Sequence, residues 1–267
     1  MTITLTPSNP DSFITLNGYR GVLDSTADLV RNPLSGIAMT VDGGTATGKG
    51  TLAKELARRY RVKFLDTGTI YRSVAWRLLD LGDDPTDPLA AEAAAKRLVF
   101  DFRHLGNNHF GTFVHGEDVT AAIRTPEVGR AAPLVAVQPA VRQALLDMQR
   151  DYVRHWQPLI GVVLDGRDTG ARIAPKAQIK FFIQADAELR AHRRWLEFTA
   201  AGKEISEAQV LKDLLARDAR DAENIICTPD AVVLDATDMD AAGVLRAAIA
   251  AVEERFGPVP AGILGED

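Results

Sequence analysis

Four stretches of this 267-residue chain have residue types and spacings suited to phosphate chemistry. The first is Gly43 to Thr51, GGTATGKGT, which fits G-x-x-x-x-G-K. A loop of this kind points successive backbone N–H groups inward, and the helix that follows adds partial positive charge at its start. Gly43 and Gly48 allow backbone shapes and approach distances that a Cβ would block. Lys49 can reach the outer phosphates of a triphosphate, and Thr51 is placed near a phosphate or its magnesium ion. The whole run is therefore expected to cradle a triphosphate: Gly43, Gly44, Thr45, Ala46, Thr47, Gly48, Lys49, Gly50 and Thr51. A chance glycine-rich turn is the alternative. Flanking by an apolar run and a helical pattern argues against it.

Three further stations follow. Asp66 to Arg72 reads DTGTIYR, with Thr67 and Gly68 suited to a turn and Arg72 one turn into the next helix. Arginine forks match phosphate oxygens, although a solvated helix arginine explains Arg72 equally well. The apolar run Val162 to Leu164 ends in Asp165-Gly166-Arg167-Asp168, the shape in which a carboxylate orders magnesium or its water. A tight Asp-Gly surface turn is the competing reading. Arg217-Asp218-Ala219-Arg220-Asp221 sits on a predicted helix, and alone it reads best as an exposed i,i+4 ion pair.

The elements that must carry these stations alternate. Short apolar strands are expected at Gly36–Asp42, Val62–Leu65, Val162–Leu164, Ile179–Ile183 and Val232–Leu234. Helical patterns separate them, including a predicted helix after Ser206 with Gln209 placed for a capping box. This order predicts an α/β fold with a mainly parallel sheet covered on both faces. Leu98–His104 and Phe110–His115 flank Gly106, Asn107 and Asn108, which predicts a β-hairpin inserted outside that sheet. His104, His109 and His115 straddle it without the spacing of a metal site. Residues 1–35 read as an N-terminal extension with only a weak helical pattern around Val22 to Val30, and 257–267 as a tail.

Composition excludes several classes. With 46% hydrophobic and 25% charged residues, the chain is neither disordered nor fibrous. No apolar stretch approaches the roughly 18 residues of a membrane span, and the first basic residue is Arg20, so no membrane partner or secretory signal is expected. A net charge of −5 disfavours nucleic acid as a partner. A lone cysteine, Cys227, rules out an intrachain disulfide and fits a reducing cytoplasm.

With these stations in order, the chain resembles the bacterial cytidylate kinases of the nucleoside-monophosphate kinase group, over about Gly36 to Glu254. GKGT is typical of the wider group. DTGTIYR, GEDVTAAIRTPEV at 116–128, DGRD and RDARD resemble cytidylate kinases specifically. The resemblance implies a P-loop NTPase core at 36–256, a small antiparallel β insertion for the acceptor at 97–125 and a short helical lid at 200–225. It implies magnesium-dependent transfer of the γ-phosphoryl of ATP to CMP or dCMP, by a protein expected to be a monomer. By motif position, Arg72 and Arg167 would hold the acceptor phosphate, with Thr67 beside them. Arg142 and Asp168 would face cytosine, Arg217 and Asp221 the sugar, and Arg220 the migrating phosphoryl. Lys49, Arg217 and Arg220 would be catalytic, and Thr51 with Asp165 would serve the metal. Two other readings stand beside this one: a kinase for another pyrimidine or modified nucleotide, and a nucleotide-binding regulator without turnover. Retention of Lys49, Asp165, Arg167 and Arg220 argues against the regulator.

The chain departs from the resembled pattern at Gly44 (usually Pro), Ala46 (usually Gly), Pro133 (commonly a base-contacting Ser) and Asn224 (usually Arg). Proline offers neither a hydroxyl nor an N–H, so a polar edge of cytosine loses one partner, worth about 0.5–1.5 kcal/mol. Pro133→Ser is therefore expected to widen the kcat/KM margin of CMP over UMP several-fold. Equal margins in the two forms would overturn this account of the base pocket.

Overall fold

The computed structural model describes residues 34–105 and 110–258, with the backbone of two short strands at 13–16 and 19–22. The hairpin turn with His109, residues 23–30 of the expected helical pattern and the tail after Pro258 lie outside the described residues. Val22 itself ends a strand. The chain opens with β1 (Phe13–Leu16), β2 (Tyr19–Val22), β3 (Ala38–Gly43), α1 (Lys49–Tyr60), β4 (Lys63–Asp66), α2 (Thr67–Leu81) and α3 (Pro88–Arg97). It continues with β5 (Phe100–His104), β6 (Phe110–Val114), β7 (Glu117–Asp118), α4 (Pro126–Ala136) and α5 (Pro139–Ile160). It ends with β8 (Val162–Gly166), β9 (Ile179–Gln184), α6 (Ala187–Ala200), α7 (Glu207–Asp221), β10 (Val232–Asp235) and α8 (Ala241–Phe256). Two compact units result, divided after Thr67 and after Met148, within α2 and α5.

One unit holds a five-stranded sheet in the order β10-β9-β3-β8-β4, parallel throughout. Its central strand is the expected apolar run, buried along its whole length. Fully parallel sheets are covered on both faces, which is why β3 and β8 do not alternate with polar residues. Leu52, Leu56 and Tyr60 recur at helical spacing and bury one face of α1. Trp156 is fully buried on α5, and the hydroxyl of Tyr152 donates to the Phe64 carbonyl at 2.9 Å.

The other unit carries the predicted hairpin, now a three-stranded antiparallel sheet β5-β6-β7 separate from the parallel one. Its register is pinned where the Thr112 N–H donates to Thr120 Oγ1 at 2.7 Å. Asp87 and Thr125 cap α3 and α4, each with proline in the first turn. Pro133 stands inside α4 and is exposed.

Local expectations failed at two points. Thr67 and Gly68 form no turn: α2 starts directly after β4. The Thr67 hydroxyl donates to the Asp165 carbonyl at 2.9 Å, so a contact with β8 fixes the first helical residue where local propensity suggested a turn. Ser206 caps α7 by accepting from the Gln209 N–H, but the Gln209 side chain turns to Asp213, so the capping box forms by half.

Gly161 links α5 to β8 with φ +84°, and a Cβ there would meet the Leu34 carbonyl oxygen at 2.5 Å. Gly161→Ala is expected to destabilise the protein by about 2 kcal/mol or more, combining left-handed strain with a backbone clash. Urea denaturation checks this. Activity per folded molecule should persist, because Gly161 sits at the opposite end of β8 from Asp165.

Candidate active site

The site is built where β3, β8 and β4 end. Register places Val41 opposite Asp165, Asp42 opposite Gly166 and Asp66 opposite Asp165, so three carboxylates share one edge of the parallel sheet. Ligands in open α/β sheets collect at that edge. The phosphate loop leaves β3 through Gly43, whose Cβ would lie 2.3 Å from the Ile183 carbonyl oxygen on β9. Gly48 serves conformation alone: its φ is +91° and a Cβ there would touch nothing within 4 Å. It also leaves the start of α1 without a side-chain cap or an acidic residue in the first turn. Those backbone donors therefore have no anionic side chain of the helix beside them, which suits an incoming phosphate.

Lys49 Nζ donates back across the loop to the Gly44 carbonyl at 3.1 Å. Burial depresses its pKa, Asp165 opposes that shift, and Arg167 reinforces it. Asp165 is 8% exposed, and its pKa is raised to about 7, first by desolvation and against the pull of Lys49. Its Oδ1 is buried without a hydrogen-bond partner. A buried carboxylate oxygen with unmet demand fits a divalent cation or its coordinated water, whose charge would restore the ionised form. Among the described residues no group of three His, Cys, Asp or Glu could hold a metal alone. A magnesium ion here would therefore draw its remaining ligands from water and phosphate oxygens, as that ion commonly does. Thr51 is exposed on the first turn of α1. The position directly after Lys49 is Gly50, where a Cβ would come within 2.9 Å of Asp165 Oδ2.

Arg167 donates to Thr45 Oγ1 at 3.2 Å, and its Nε lies 2.8 Å from Asp221 Oδ2. Arg217 approaches the same carboxylate oxygen at 3.7 Å. The structure thus gathers Thr45, Lys49, Asp165, Arg167, Arg217 and Asp221. Asp168 pairs with Arg172 at 3.3 Å, and the Thr67 hydroxyl is used within the frame. Arg220 is exposed, its Nε donating to the Ala216 carbonyl. Arg72 and Arg142 lie in the other unit, where they donate to the carbonyls of Ile123 and Ala136.

Two residues at this edge escaped the sequence reading. Asp42 accepts from the Thr169 N–H and hydroxyl through Oδ1, both at 2.9 Å, and from the Gly170 N–H through Oδ2 at 2.8 Å. It thereby ties the turn after Arg167 and Asp168 to the strand that carries the phosphate loop. Arg190, buried on α6, reaches the Thr45 carbonyl and Asp218. The only signal for Asp42 was a polar residue ending an apolar run. Arg190 stood in an arginine-rich helix with nothing to single it out.

A glycine-rich loop with an inward lysine, closing a parallel sheet beside a strand-terminal carboxylate and arginines, defines a P-loop phosphotransferase. The sequence model of the family described as cytidylate kinase matches residues 39–254. A cytidylate kinase of Afipia carboxidovorans is 44% identical over 220 residues, 81% of this chain and 97% of that protein. Those of Rhodopseudomonas palustris BisB18 and Nitrobacter winogradskyi are 45% and 44% identical over 219 residues, 80% of this chain and 95% of each. The chain belongs to the cytidylate kinase family.

Burial raises the Asp42 pKa from 3.8 to about 6 against its three hydrogen bonds. A raised carboxylate stabilises the fold fully below its unfolded pKa, and that contribution is lost as pH rises through the folded value. The stability of wild type relative to Asp42→Asn is therefore expected to fall by on the order of 3 kcal/mol between pH 4 and 7. Urea unfolding of nucleotide-free protein across that range measures it. A flat difference would remove Asp42 as a buried titrating group.

Proposed function

We propose that this protein is a (d)CMP kinase, transferring the γ-phosphoryl of ATP to CMP or dCMP with magnesium and giving ADP and (d)CDP. The observation that carries the reading is the approach of Lys49, Asp165 and Arg167 around one phosphate loop, in a chain whose family relatives are cytidylate kinases. The acceptor phosphate is already ionised near neutral pH, so the attacking oxygen needs no general base. What remains for the protein is positioning and charge neutralisation. Backbone donors of residues 43–51 hold the donor phosphates, and Lys49 places its charge on the oxygens that become more negative as the β–γ bridge breaks. Asp165 and Thr51 would hold a magnesium ion, which would supply further charge neutralisation. Arg167 and Arg72 take the acceptor phosphate, Arg142 and Asp168 the cytosine, and Arg217 and Asp221 the sugar. Arg220 takes the migrating group. In the described state Arg167 is held by Asp221 and Thr45, so acceptor binding on this reading exchanges those contacts for phosphate oxygens.

The test is ADP production with CMP, dCMP, UMP and AMP as acceptors. CMP and dCMP are expected to give the highest kcat/KM. Lys49→Ala is expected to lower turnover by about 100-fold or more while the fold survives, because the lost charge faces the transferring group. Turnover within tenfold of wild type would reject this loop as the donor site. No ADP with any of the four nucleotides would reject the enzyme.

A further inference from the structure

The middle of the phosphate loop contains a residue in an unfavourable shape. Ala46 has φ 58°, a left-handed conformation that side chains with a Cβ rarely adopt. The peptide before it is gripped from outside the loop, where Arg190 Nη1 donates to the Thr45 carbonyl at 2.9 Å. The carbonyl and N–H of a trans peptide point in opposite directions. This bond therefore turns the Ala46 N–H away from Arg190, and a cation on the carbonyl makes that N–H a stronger donor.

The same Nη1 lies 2.7 Å from Asp218 Oδ2 on α7, and Nε donates to the Ala185 carbonyl at 2.9 Å, just ahead of α6. Arg190 is only 8% exposed. A guanidinium so buried depends on its carboxylate and carbonyl partners, because losing one leaves charge without compensation. Gly44 packs against it: a Cβ there would stand 3.3 Å from Nη1. Asp218 is next to Arg217 and two residues before Arg220 on one helix, so whatever fixes Asp218 fixes the origin of both arginines.

We infer that Arg190 is a positioning residue for phosphoryl transfer, acting at two points. Through Thr45 it holds the loop peptide that presents the Ala46 N–H to the donor phosphates. Through Asp218 it holds α7, and with it Arg217 and Arg220, against that loop. This inference rests on the reading of residues 43–51 as the donor site. A lysine could not replace the arginine fully, because its single nitrogen lacks the second anchor that Nε makes at Ala185.

The test measures ADP binding without any acceptor, then kcat and KM for ATP, in wild type, Arg190→Met, Arg190→Lys and Asp218→Asn. Asp218→Asn keeps the loop anchor, so its ADP affinity should stay within about threefold while kcat falls about tenfold. Arg190→Met loses both anchors: ADP affinity should drop about tenfold and kcat at least as far as in Asp218→Asn. Arg190→Lys should fall between wild type and the methionine variant on both readouts. Adding Asp218→Asn to Arg190→Met should lower kcat no further, since the two changes break one contact. If Arg190→Met does not fold, the lysine and Asp218 variants carry the comparison. The inference is overturned if the folded Arg190 variants show a lower Tm but keep ADP affinity and kcat within twofold of wild type. A wild type that binds ADP yet does not phosphorylate CMP would overturn the acceptor assignment instead, leaving the ADP comparison to decide the role of Arg190.

Discussion

A carboxylate almost entirely out of water, Asp42, holds together the two chain segments from which the site is made. It stands next to last in the central strand, directly before the first glycine of the phosphate loop, and its oxygens are filled by Thr169 and Gly170, just beyond Arg167 and Asp168. Sheet register sets strand beside strand, but it does not decide which way the chain turns after each strand ends. Asp42 fixes that choice for β8 by drawing two N–H groups and a hydroxyl of Thr169 and Gly170 to one carboxylate. Gly166 and Gly170 permit this path: a Cβ on either would meet side-chain atoms within 3 Å.

The neighbouring Asp165 and Lys49 pose the opposite case. Asp42 is satisfied, whereas Asp165 keeps a buried oxygen without a partner and Lys49 is pushed toward neutrality by the same desolvation. The edge of the sheet thus carries electrostatic demand that, on the proposed function, phosphate and a cation would relieve. Preorganisation of this kind has its cost charged to folding, so little rearrangement of charge is left for the moment of reaction.

What the sequence disclosed follows from how local each signal is. The phosphate loop was readable because glycine positions, lysine and the strand-to-helix change fall within nine consecutive residues. The hairpin at 98–115 was readable from its apolar runs around Gly106-Asn107-Asn108. Arg190 was not, because α6 offers three arginines in five residues, and they differ only in what tertiary structure puts beside them. Arg190 meets the loop, Arg193 reaches the carbonyls of Ala236 and Met239, and Arg194 pairs on the surface with Glu197. In the RDARD stretch, helical spacing drew attention to Arg217 and Asp221, while Asp218, between them, is bonded to Arg190. The expected turn at Thr67 failed for a related reason, since its hydroxyl answers to β8, about 100 residues away.

The strand order carries a consequence for how the molecule comes into being. β3 lies in the middle of the parallel sheet, yet both its neighbours, β8 and β9, come more than 100 residues later in the chain. On a ribosome adding about 5–20 residues per second, the phosphate-loop segment emerges roughly 6–25 seconds before the first of those strands. Throughout that interval a strand that is buried along its whole length in the finished protein has no sheet to join. Sheets closed by such distant pairings fold slowly and expose sticky edges while they wait. The arrangement that places the phosphate loop at the centre of the finished sheet thus leaves that segment uncovered until the later strands arrive.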